Sequence, residues 1–334
     1  MSHTTDSITF SLTDPSGTEG FPGEVVSYVT YTVTPYEWHI RMSALSLTET
    51  TPIMLSSHVY WNLDGFQNPE TNTVLNHTFH LPYSGQYIEI DNIEIPTGVI
   101  GNIPQGSVFD FWSAPKQIGS NFSSPELFGA CGYGCVGYDN AWLVTRQGPS
   151  SPYTYDWTQA GPVATLASNF SGITLDIYSD QEVCGLVVRG SCIILMSVLQ
   201  AFQMYSCNGQ NGSLTLKNTQ GFFGNNSAFP RTVPKYGCVV MEVEDWIGGI
   251  NYPSVTHHCE FEQAKQRLTC YSEWGRDSRQ IFGPGDAPYS LQAVYRFSVN
   301  GTTAGPEGQT LSPPTLAKRA LGPQRPSKKA RSEL

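Results

Sequence analysis

The stretch VVSYVTYTV, residues 25–33, is followed after a few residues by WHIRMSAL, residues 38–45. Both segments are rich in β-branched and aromatic residues, and polar and apolar side chains nearly alternate along them. Alternation with a period of two residues is typical of a β-strand, in which successive side chains point to opposite faces. The two segments therefore predict β-strands.

The same pattern recurs along most of the chain. Further examples are SITFSL (7–12), ITLDIYS (173–179), CVVMEVEDW (238–246) and AVYRFSV (293–299). Turn-forming clusters such as DPSGTEGFPG and QGPSSP lie between the segments. No segment shows an apolar period of 3.6 residues over three turns, so the pattern predicts an all-β protein, an antiparallel β-sandwich or barrel.

Composition is that of one large domain with a basic tail. The 334 residues are 39% hydrophobic and 14% charged, with a net charge of −10. Residues 301–334 hold six of the 18 basic and two of the 28 acidic residues and have few large apolar side chains. We therefore expect a domain over 1–300 and a disordered tail over 301–334. The acidic domain would repel phosphate backbones, which argues against nucleic acid and favours a neutral, hydroxyl-rich ligand.

Signals for the cellular compartment disagree. The most apolar run, CGLVVRGSCIILMSVL (184–199), is short and is interrupted by Arg189, so we expect no transmembrane helix and no membrane partner. The opening MSHTTDSITF has neither the basic nor the apolar region of a secretory signal. The eight cysteines are nevertheless compatible with disulfides, and N-x-S/T sequons begin at Asn76, Asn121, Asn169, Asn211, Asn225 and Asn300.

The stretch SSHVYWNL, residues 56–63, places a histidine inside a segment that otherwise resembles a buried strand. Alternation puts Val59, Trp61 and Leu63 on one face and His58 with Tyr60 on the other. One face packs, and the other is free for chemistry. A half-buried structural histidine is the simpler interpretation of His58 taken alone.

Four segments resemble the aldose 1-epimerase (galactose mutarotase) family. SHVYWNLDG (57–65) is similar to the family's His-x-Tyr-Phe-Asn-Leu strand, and NHTFHLPYSGQYIEIDNIEIPTG (76–98) is similar to the segment that follows it. VGYDNAWLV (136–144) resembles the Gly-Phe-Asp-His-Asn strand, and VVMEVEDW (239–246) the Leu-Glu-x-x-x-Trp strand. The resemblance implies a large antiparallel β-sandwich, the galactose mutarotase-like supersandwich, with a sugar held on one concave face.

The resemblance also implies an activity and the residues that perform it. Glu242 would be the general base and His58 the general acid in the interconversion of α and β anomers of free hexoses such as glucose or galactose. Asp139 would accept hydrogen bonds from sugar hydroxyls, and Gln203 and Tyr205, in AFQMY, would line the site. This acid–base chemistry requires neither a cofactor nor a metal. The partner would be a small sugar, and the oligomeric state is not predicted.

The residues leave simpler interpretations open. Glu242 could be a solvent-facing strand residue beside Glu244 and Asp245, and Asp139 could hold a turn after Gly137. A non-catalytic carbohydrate-binding sandwich is the alternative function from another class. An epimerase acting on hexose 6-phosphates is a third hypothesis.

Two clusters look like metal ligands without the spacing of a metal site. Cys131 and Cys135, in CGYGC, lack a second pair at zinc-finger spacing, which favours a disulfide or two free thiols. The row His257, His258, Cys259 would alternate between the faces of a strand, which disfavours a shared ion. We therefore expect no metal.

The sequence departs from the family pattern in three respects. The resemblance starts in the middle of the family, so we expect its N-terminal strands to be missing, together with an arginine and a second histidine that bind sugar. We expect the full-length form to be extracellular, with a cytoplasmic protein as the alternative. Asn140 stands where the family's Asp-His-Asn motif has histidine, which we expect to affect ligand shape.

The third departure is a pair of apparent insertions, at 183–200 and at about 255–272. Removing them joins SDQE to AFQMYSCNG and GGINYPS to EWGRDSRQIFGPG, and both junctions read like family sequence. We expect the two segments to be translated introns, and genuine loop insertions are the alternative.

Overall fold

The computed structural model describes residues 1–145, 156–180, 200–221, 229–251 and 280–299, and the backbone of four strands within 185–272. No helix in these ranges is long and apolar enough to cross a membrane. Short 3₁₀ helices occupy Thr18–Gly20, Ile118–Asn121, Pro125–Leu127 and Gly249–Asn251. The strands, in chain order, are β1 (Ser2–His3), β2 (Ser7–Asp14), β3 (Val25–Thr34), β4 (Glu37–Ser46), β5 (Thr51–Pro52), β6 (Tyr60–Trp61), β7 (Thr78–His80), β8 (Gln86–Ile90), β9 (Pro96–Asn102), β10 (Lys116–Gln117), β11 (Asp139–Val144), β12 (Ala164–Ala167), β13 (Ile173–Ser179), β14 (Gly185–Arg189), β15 (Cys192–Met196), β16 (Gln200–Tyr205), β17 (Val239–Glu244), β18 (His257–Glu262), β19 (Arg267–Ser272), β20 (Ile281–Phe282) and β21 (Tyr289–Val299).

Two antiparallel sheets make up the body of the fold. The nine-stranded sheet has the order β1-β2-β3-β4-β21-β13-β12-β7-β10, and the six-stranded sheet has the order β6-β17-β16-β11-β8-β9. The opening stretch forms β3 and β4, which pair along their full length from Thr34 opposite Glu37. Between them Tyr36 adopts a left-handed φ of 63° in the tight turn. The predicted all-β antiparallel sandwich is confirmed.

The core lies between the two sheets and follows from alternation along each strand. In the nine-stranded sheet, Ile40 and Met42 of β4 are buried, and in the six-stranded sheet Trp142 and Met241 are buried opposite them. Trp61 of β6 packs against Trp38, Tyr295 and Phe297. The indole groups of Trp61 and Trp142 therefore belong to the core, as packing considerations favour.

The expected strand at 56–63 is only two residues long. Upstream, the backbone N–H and C=O of Leu55 are both hydrogen-bonded to the hydroxyl of Tyr289 and not to a neighbouring strand. Downstream, the Asn62 side chain bonds Gly237 and Asp64, and a turn begins there. The alternation still holds in part, since the rings of His58 and Tyr60 lie 4.9 Å apart on one side.

The two expected insertions coincide with hairpins that stand apart from both large sheets. Strand β14 pairs with β15, and β18 with β19, and each pair forms its own two-stranded sheet among the strands that the structure describes. Strand β16 of the six-stranded sheet begins at Gln200, the last residue of the first expected insertion. Their origin as introns stays a prediction, and residues 301–334 lie outside the described ranges.

The inner face of the nine-stranded sheet extends beyond the six-stranded sheet. In register with the buried Ile40 and Met42 lie Tyr31 and Val29 of β3, and beyond them Ile8 and Phe10 of β2. On this same face Leu12 is 68% exposed, and Phe10 and Val33 are also exposed. The opposite face of β2 is polar, with Thr9 hydrogen-bonded to Thr30. A core-type apolar face is thus open to solvent along β2 and β3.

This open face predicts self-association. Replacing Leu12 and Val33 with threonine should lower light scattering and the fluorescence of a dye that binds apolar surface, because threonine keeps β propensity while reducing apolar area. The matched control is Thr13→Ser, on the polar face of β2. Equal scattering and dye binding in the wild type and the double variant would show that the face is covered in solution.

Candidate active site

The face of the six-stranded sheet that points away from the core carries the polar cluster. Along β17, Val239, Met241 and Val243 enter the core, so Glu242 and Glu244 lie on the other face. In the ladder between β16 and β17, Gln203 lies directly opposite Glu242. In the ladder between β11 and β16, Asp139 lies opposite Tyr205. Strand register therefore gathers four of the five predicted site residues on one face.

The fifth predicted residue, His58, reaches this face from the segment before β6. Its Nε2 lies 3.8 Å from Oε1 of Glu242, and its side chain is about half exposed. Glu242 is 8% exposed. The other carboxylate oxygen of Glu242, Oε2, accepts a hydrogen bond from Oγ of Ser56. An imidazole and a carboxylate thus lie side by side, one open to solvent and the other nearly buried.

Asp139 and Gln203 form the second part of the cluster. Nε2 of Gln203 donates a hydrogen bond of 2.7 Å to Oδ1 of Asp139. Burial raises the pKa of Asp139 to about 6; the Gln203 hydrogen bond opposes this rise, and the negative charges of Glu94 and Glu242 add to it. Asp139 is therefore ionised at neutral pH and becomes protonated in mildly acidic solution.

Tyr205, at the end of β16, and Glu94, in a turn, border the cluster. The hydroxyl of Tyr205 accepts a 2.8 Å hydrogen bond from the backbone of Gly209, and burial raises its pKa. Glu94 lies in the turn between β8 and β9 with a left-handed φ of 67°. Its carboxylate lies against Gly132, where an added Cβ would lie only 2.6 Å from Oε1. Glycine at 132 thus makes room for a charge that acts on Asp139 and Tyr205.

Glu244 is the most deeply buried acid of this face. Burial raises the pKa of Glu244 well above its usual range, and the neighbouring charges of Glu242 and Asp245 add to the effect. Its Oε1 has no hydrogen-bond partner among the residues described. Burial therefore favours the neutral form of Glu244, which stands two residues from Glu242 on the same face.

The remaining sequence expectations concern positions beside the cluster. Asn140 lies on the opposite face from Asp139 and is buried, and its amide donates to the backbone oxygen of Ala130. It supports the neighbouring loop and does not line the cluster. In that loop Cys131 is paired with Cys135 in a disulfide. No group of three potential metal ligands occurs in the part of the chain whose side chains are described. The side chains of residues 257–262 lie outside that part.

Three members of the cluster were not predicted from sequence. Ser56 stands two residues before His58, and its place on the same face was a usable signal. Glu244 stands two residues after Glu242 and carries the same signal. Glu94 had no such signal, because only the fold brings the turn between β8 and β9 close to Asp139.

The fold is that of a galactose mutarotase-like β-sandwich. The sequence model of the family described as Aldose 1-epimerase matches residues 1–185, more than half of the chain. The chain belongs to the aldose 1-epimerase family. The match ends three residues inside the first expected insertion.

Two fungal proteins and two solved structures illustrate the similarity. The chain is 37% identical over 313 residues to "Probable aldose 1-epimerase" of Arthroderma benhamiae, covering 88% of this chain and 61% of that protein. It is 32% identical over 320 residues to "Epimerase FSL3" of Gibberella zeae, covering 90% and 61%. The chain thus spans about 61% of the length of these relatives.

The structural comparisons agree on the fold. A GalM/aldose epimerase homologue from C. elegans superposes with a TM-score of 0.55 at 22% identity, covering 90% of this chain and 67% of the other. The galactose 1-epimerase of Lactobacillus acidophilus gives a TM-score of 0.54 at 14% identity, covering 89% and 65%. At these identities the similarity establishes the shared fold.

The raised pKa of Asp139 predicts that removing its charge stabilises the fold at neutral pH. The carboxyl holds its proton more tightly in the folded protein than in the unfolded chain, where the pKa is near 3.8, so folding stability falls as pH rises from 3.8 through about 6. Asp139→Asn should therefore raise the melting temperature at pH 7.5, and the gain should vanish towards pH 4. Thermal unfolding at both pH values measures this.

The control for this prediction is Asp6→Asn at an exposed position. A melting temperature of Asp139→Asn that equals or falls below that of the wild type at pH 7.5 would contradict the assigned burial of the charge. A gain of the same size at both pH values would show that the asparagine stabilises the fold for a reason other than ionisation.

Proposed function

We propose that this protein is an aldose 1-epimerase that interconverts the α and β anomers of free hexoses such as glucose and galactose. The observation that carries the proposal is the distance of 3.8 Å between Nε2 of His58, which is about half exposed, and Oε1 of Glu242 on the outer face of the six-stranded sheet. The two oxygens that exchange protons in the reaction, O1 and the ring oxygen O5, are bonded to the same carbon. An acid and a base that serve them must therefore lie side by side, as these two groups do.

The chemistry balances with these two residues alone. Glu242, as the carboxylate, takes the proton from the O1 hydroxyl while the bond between C1 and O5 breaks and C1 becomes an aldehyde. His58, as the imidazolium, gives its proton to O5. Rotation about the bond between C1 and C2 presents the other face of the aldehyde, O5 attacks it, and both protons return. General acid–base catalysis of this kind contributes on the order of 10²–10⁴-fold.

The neighbouring groups suit a neutral polyhydroxyl ligand. The Asp139 carboxylate accepts hydrogen bonds, the Gln203 amide holds that carboxylate, and the Tyr205 ring lies 6.3 Å from the His58 ring. Charged acceptors beside aromatic rings bind the hydroxyls and the apolar face of a sugar. Relatives at 26% identity over 74% of this chain include the "Galactose mutarotase" of Rattus norvegicus, whose name agrees with this substrate class.

A non-catalytic carbohydrate-binding sandwich is the alternative that the experiment must separate from an enzyme. Polarimetry of freshly dissolved α-glucose and α-galactose measures turnover directly, and calorimetric titration with methyl α-glycosides measures binding without turnover. An epimerase accelerates the change of optical rotation. Binding without acceleration supports the alternative, and acceleration with hexose 6-phosphates alone supports the third hypothesis.

The assigned roles predict the effect of removing each proton-transfer group. Glu242→Gln and His58→Asn should each lower kcat of mutarotation by roughly 10²-fold or more, because each leaves one of the two proton transfers to water. Glu242→Gln keeps the side-chain volume and His58 is about half exposed, so the melting temperature of both variants should remain near that of the wild type. Polarimetry with matched protein concentrations provides the measurement.

A conservative surface substitution, Glu126→Gln in the 3₁₀ helix at Pro125–Leu127, controls for the loss of one carboxylate. Mutarotation near the wild-type rate in either active-site variant would remove that residue from the mechanism. If both variants lost activity because they unfolded, the polarimetry of the wild type would decide whether the protein is an epimerase.

We also propose an extracellular location for the full-length protein. The structure pairs Cys131 with Cys135 and Cys207 with Cys238, which are the four cysteines outside the two expected insertions. The sequons at Asn169 and Asn211 lie on exposed residues. Paired cysteines and accessible sequons are typical of proteins that mature in the secretory pathway.

The disulfides predict a chemical map and a difference in stability. Peptide mapping of alkylated protein from a eukaryotic secretory host should recover both pairs. Replacing Cys207 and Cys238 with serine should lower the free energy of unfolding by about 2–4 kcal/mol, and the same change at Cys131 and Cys135 should cost less, because its loop is much shorter. Free thiols at all four positions in the secreted protein would contradict the proposal.

A further inference from the structure

The two carboxylate oxygens of Glu242 have different environments. Oε1 faces Nε2 of His58 at 3.8 Å. Oε2 accepts the hydrogen bond from Ser56 and is thereby occupied. A carboxylate that accepts a proton from a substrate hydroxyl needs one oxygen free and its plane fixed, because proton transfer depends on the position of the accepting atom.

Ser56 is itself held in place by a buried anchor. The hydroxyl of Tyr289 accepts a hydrogen bond of 3.2 Å from the backbone N–H of Leu55 and donates one of 3.1 Å to the backbone oxygen of the same residue. Tyr289 lies on β21 and is only 3% exposed. The residue before Ser56 is thus fixed to the nine-stranded sheet, so the serine hydroxyl reaches Glu242 from a rigid backbone.

We propose that Ser56 is a positioning residue that binds Oε2 of Glu242 and so leaves Oε1 as the atom that takes the proton from the sugar. This inference rests on the proposed epimerase activity. Ser56 and His58 stand two residues apart in one segment, so a single anchored segment places both the acid and the partner of the base.

The hydrogen bond also has an electrostatic consequence. A hydroxyl that donates to a carboxylate favours the ionised form, and its removal makes the carboxylate a weaker acid. The other titratable groups that act on Glu242 are unchanged by a substitution at Ser56. They are His58 from the segment before β6, Asp139 from β11, Glu244 from β17 and Tyr295 from β21.

The first test compares two substitutions at one position. Ser56→Ala should lower kcat about 10-fold with KM changed by less than about 2-fold, and should move the acidic limb of the profile of kcat/KM against pH upward by about one pH unit. Ser56→Thr keeps the hydroxyl and should restore both properties to within about 3-fold of the wild type. Ser11→Ala, which removes an exposed hydroxyl on the polar face of β2, is the matched control and should leave kcat unchanged.

The second test does not depend on activity. Titration of the Glu242 carboxyl carbon by ¹³C NMR, with the resonance assigned from Glu242→Gln, should show a higher pKa in Ser56→Ala than in the wild type and in Ser56→Thr. An unchanged titration of folded Ser56→Ala overturns the inference even if the wild type is an active epimerase. An inactive wild type with the shifted titration overturns the proposed function and leaves the hydrogen bond established.

Discussion

The register between β16 and β17 is the constraint on which the site depends. It sets Gln203 opposite Glu242, and the same ladder extended to β11 sets Asp139 opposite Tyr205. A slip of one residue along β17 would send Glu242 into the core between the sheets and bring Met241 to the open face. The packing of Val239, Met241 and Val243 against the nine-stranded sheet opposes that slip. The apolar core thus determines where the carboxylate points.

The acidic residues on this face lower the stability of the folded protein. Asp139, Glu242 and Glu244 share it, and burial raises the pKa of both Asp139 and Glu244. The raised pKa of Glu244, which favours its neutral form, and the hydrogen bonds of Gln203 and Ser56 reduce the repulsion that three ionised carboxylates would generate. Clustered acidic groups lower the stability of the fold, and such clusters are typical of functional sites.

The sequence was sufficient for the class of fold, and the five site residues that it suggested lie close together in the structure. Strand alternation identified β3, β4, β13, β17 and β21 because each of these strands has one face in the core. It overestimated the strand at 56–63, since the backbone bonds of Leu55 go to the Tyr289 hydroxyl, a partner 234 residues away. Contacts of this range cannot be read from local pattern. The resemblance to the family, and not periodicity, singled out Asp139 and Gln203.

The features that the sequence did not predict depend on contacts between residues that are far apart in the chain. Glu94 reaches the cluster only through the turn between β8 and β9 and the space left by Gly132. The open apolar face of β2 and β3 follows from the unequal widths of the two sheets, which no single segment encodes. Apolar residues of the kind found in the core are exposed on this face in the described structure. The chain spans about 61% of the length of its fungal relatives.

The central claim is that the paired carboxylate and imidazole catalyse ring opening of a sugar. Saturation transfer by NMR between the H1 resonances of α- and β-glucose or galactose tests it directly, because the method measures anomer exchange at equilibrium. The account predicts exchange well above the spontaneous rate with the wild-type protein and a return to that rate with Glu242→Gln. Exchange that stays at the spontaneous rate while line broadening shows that the sugar binds would contradict it.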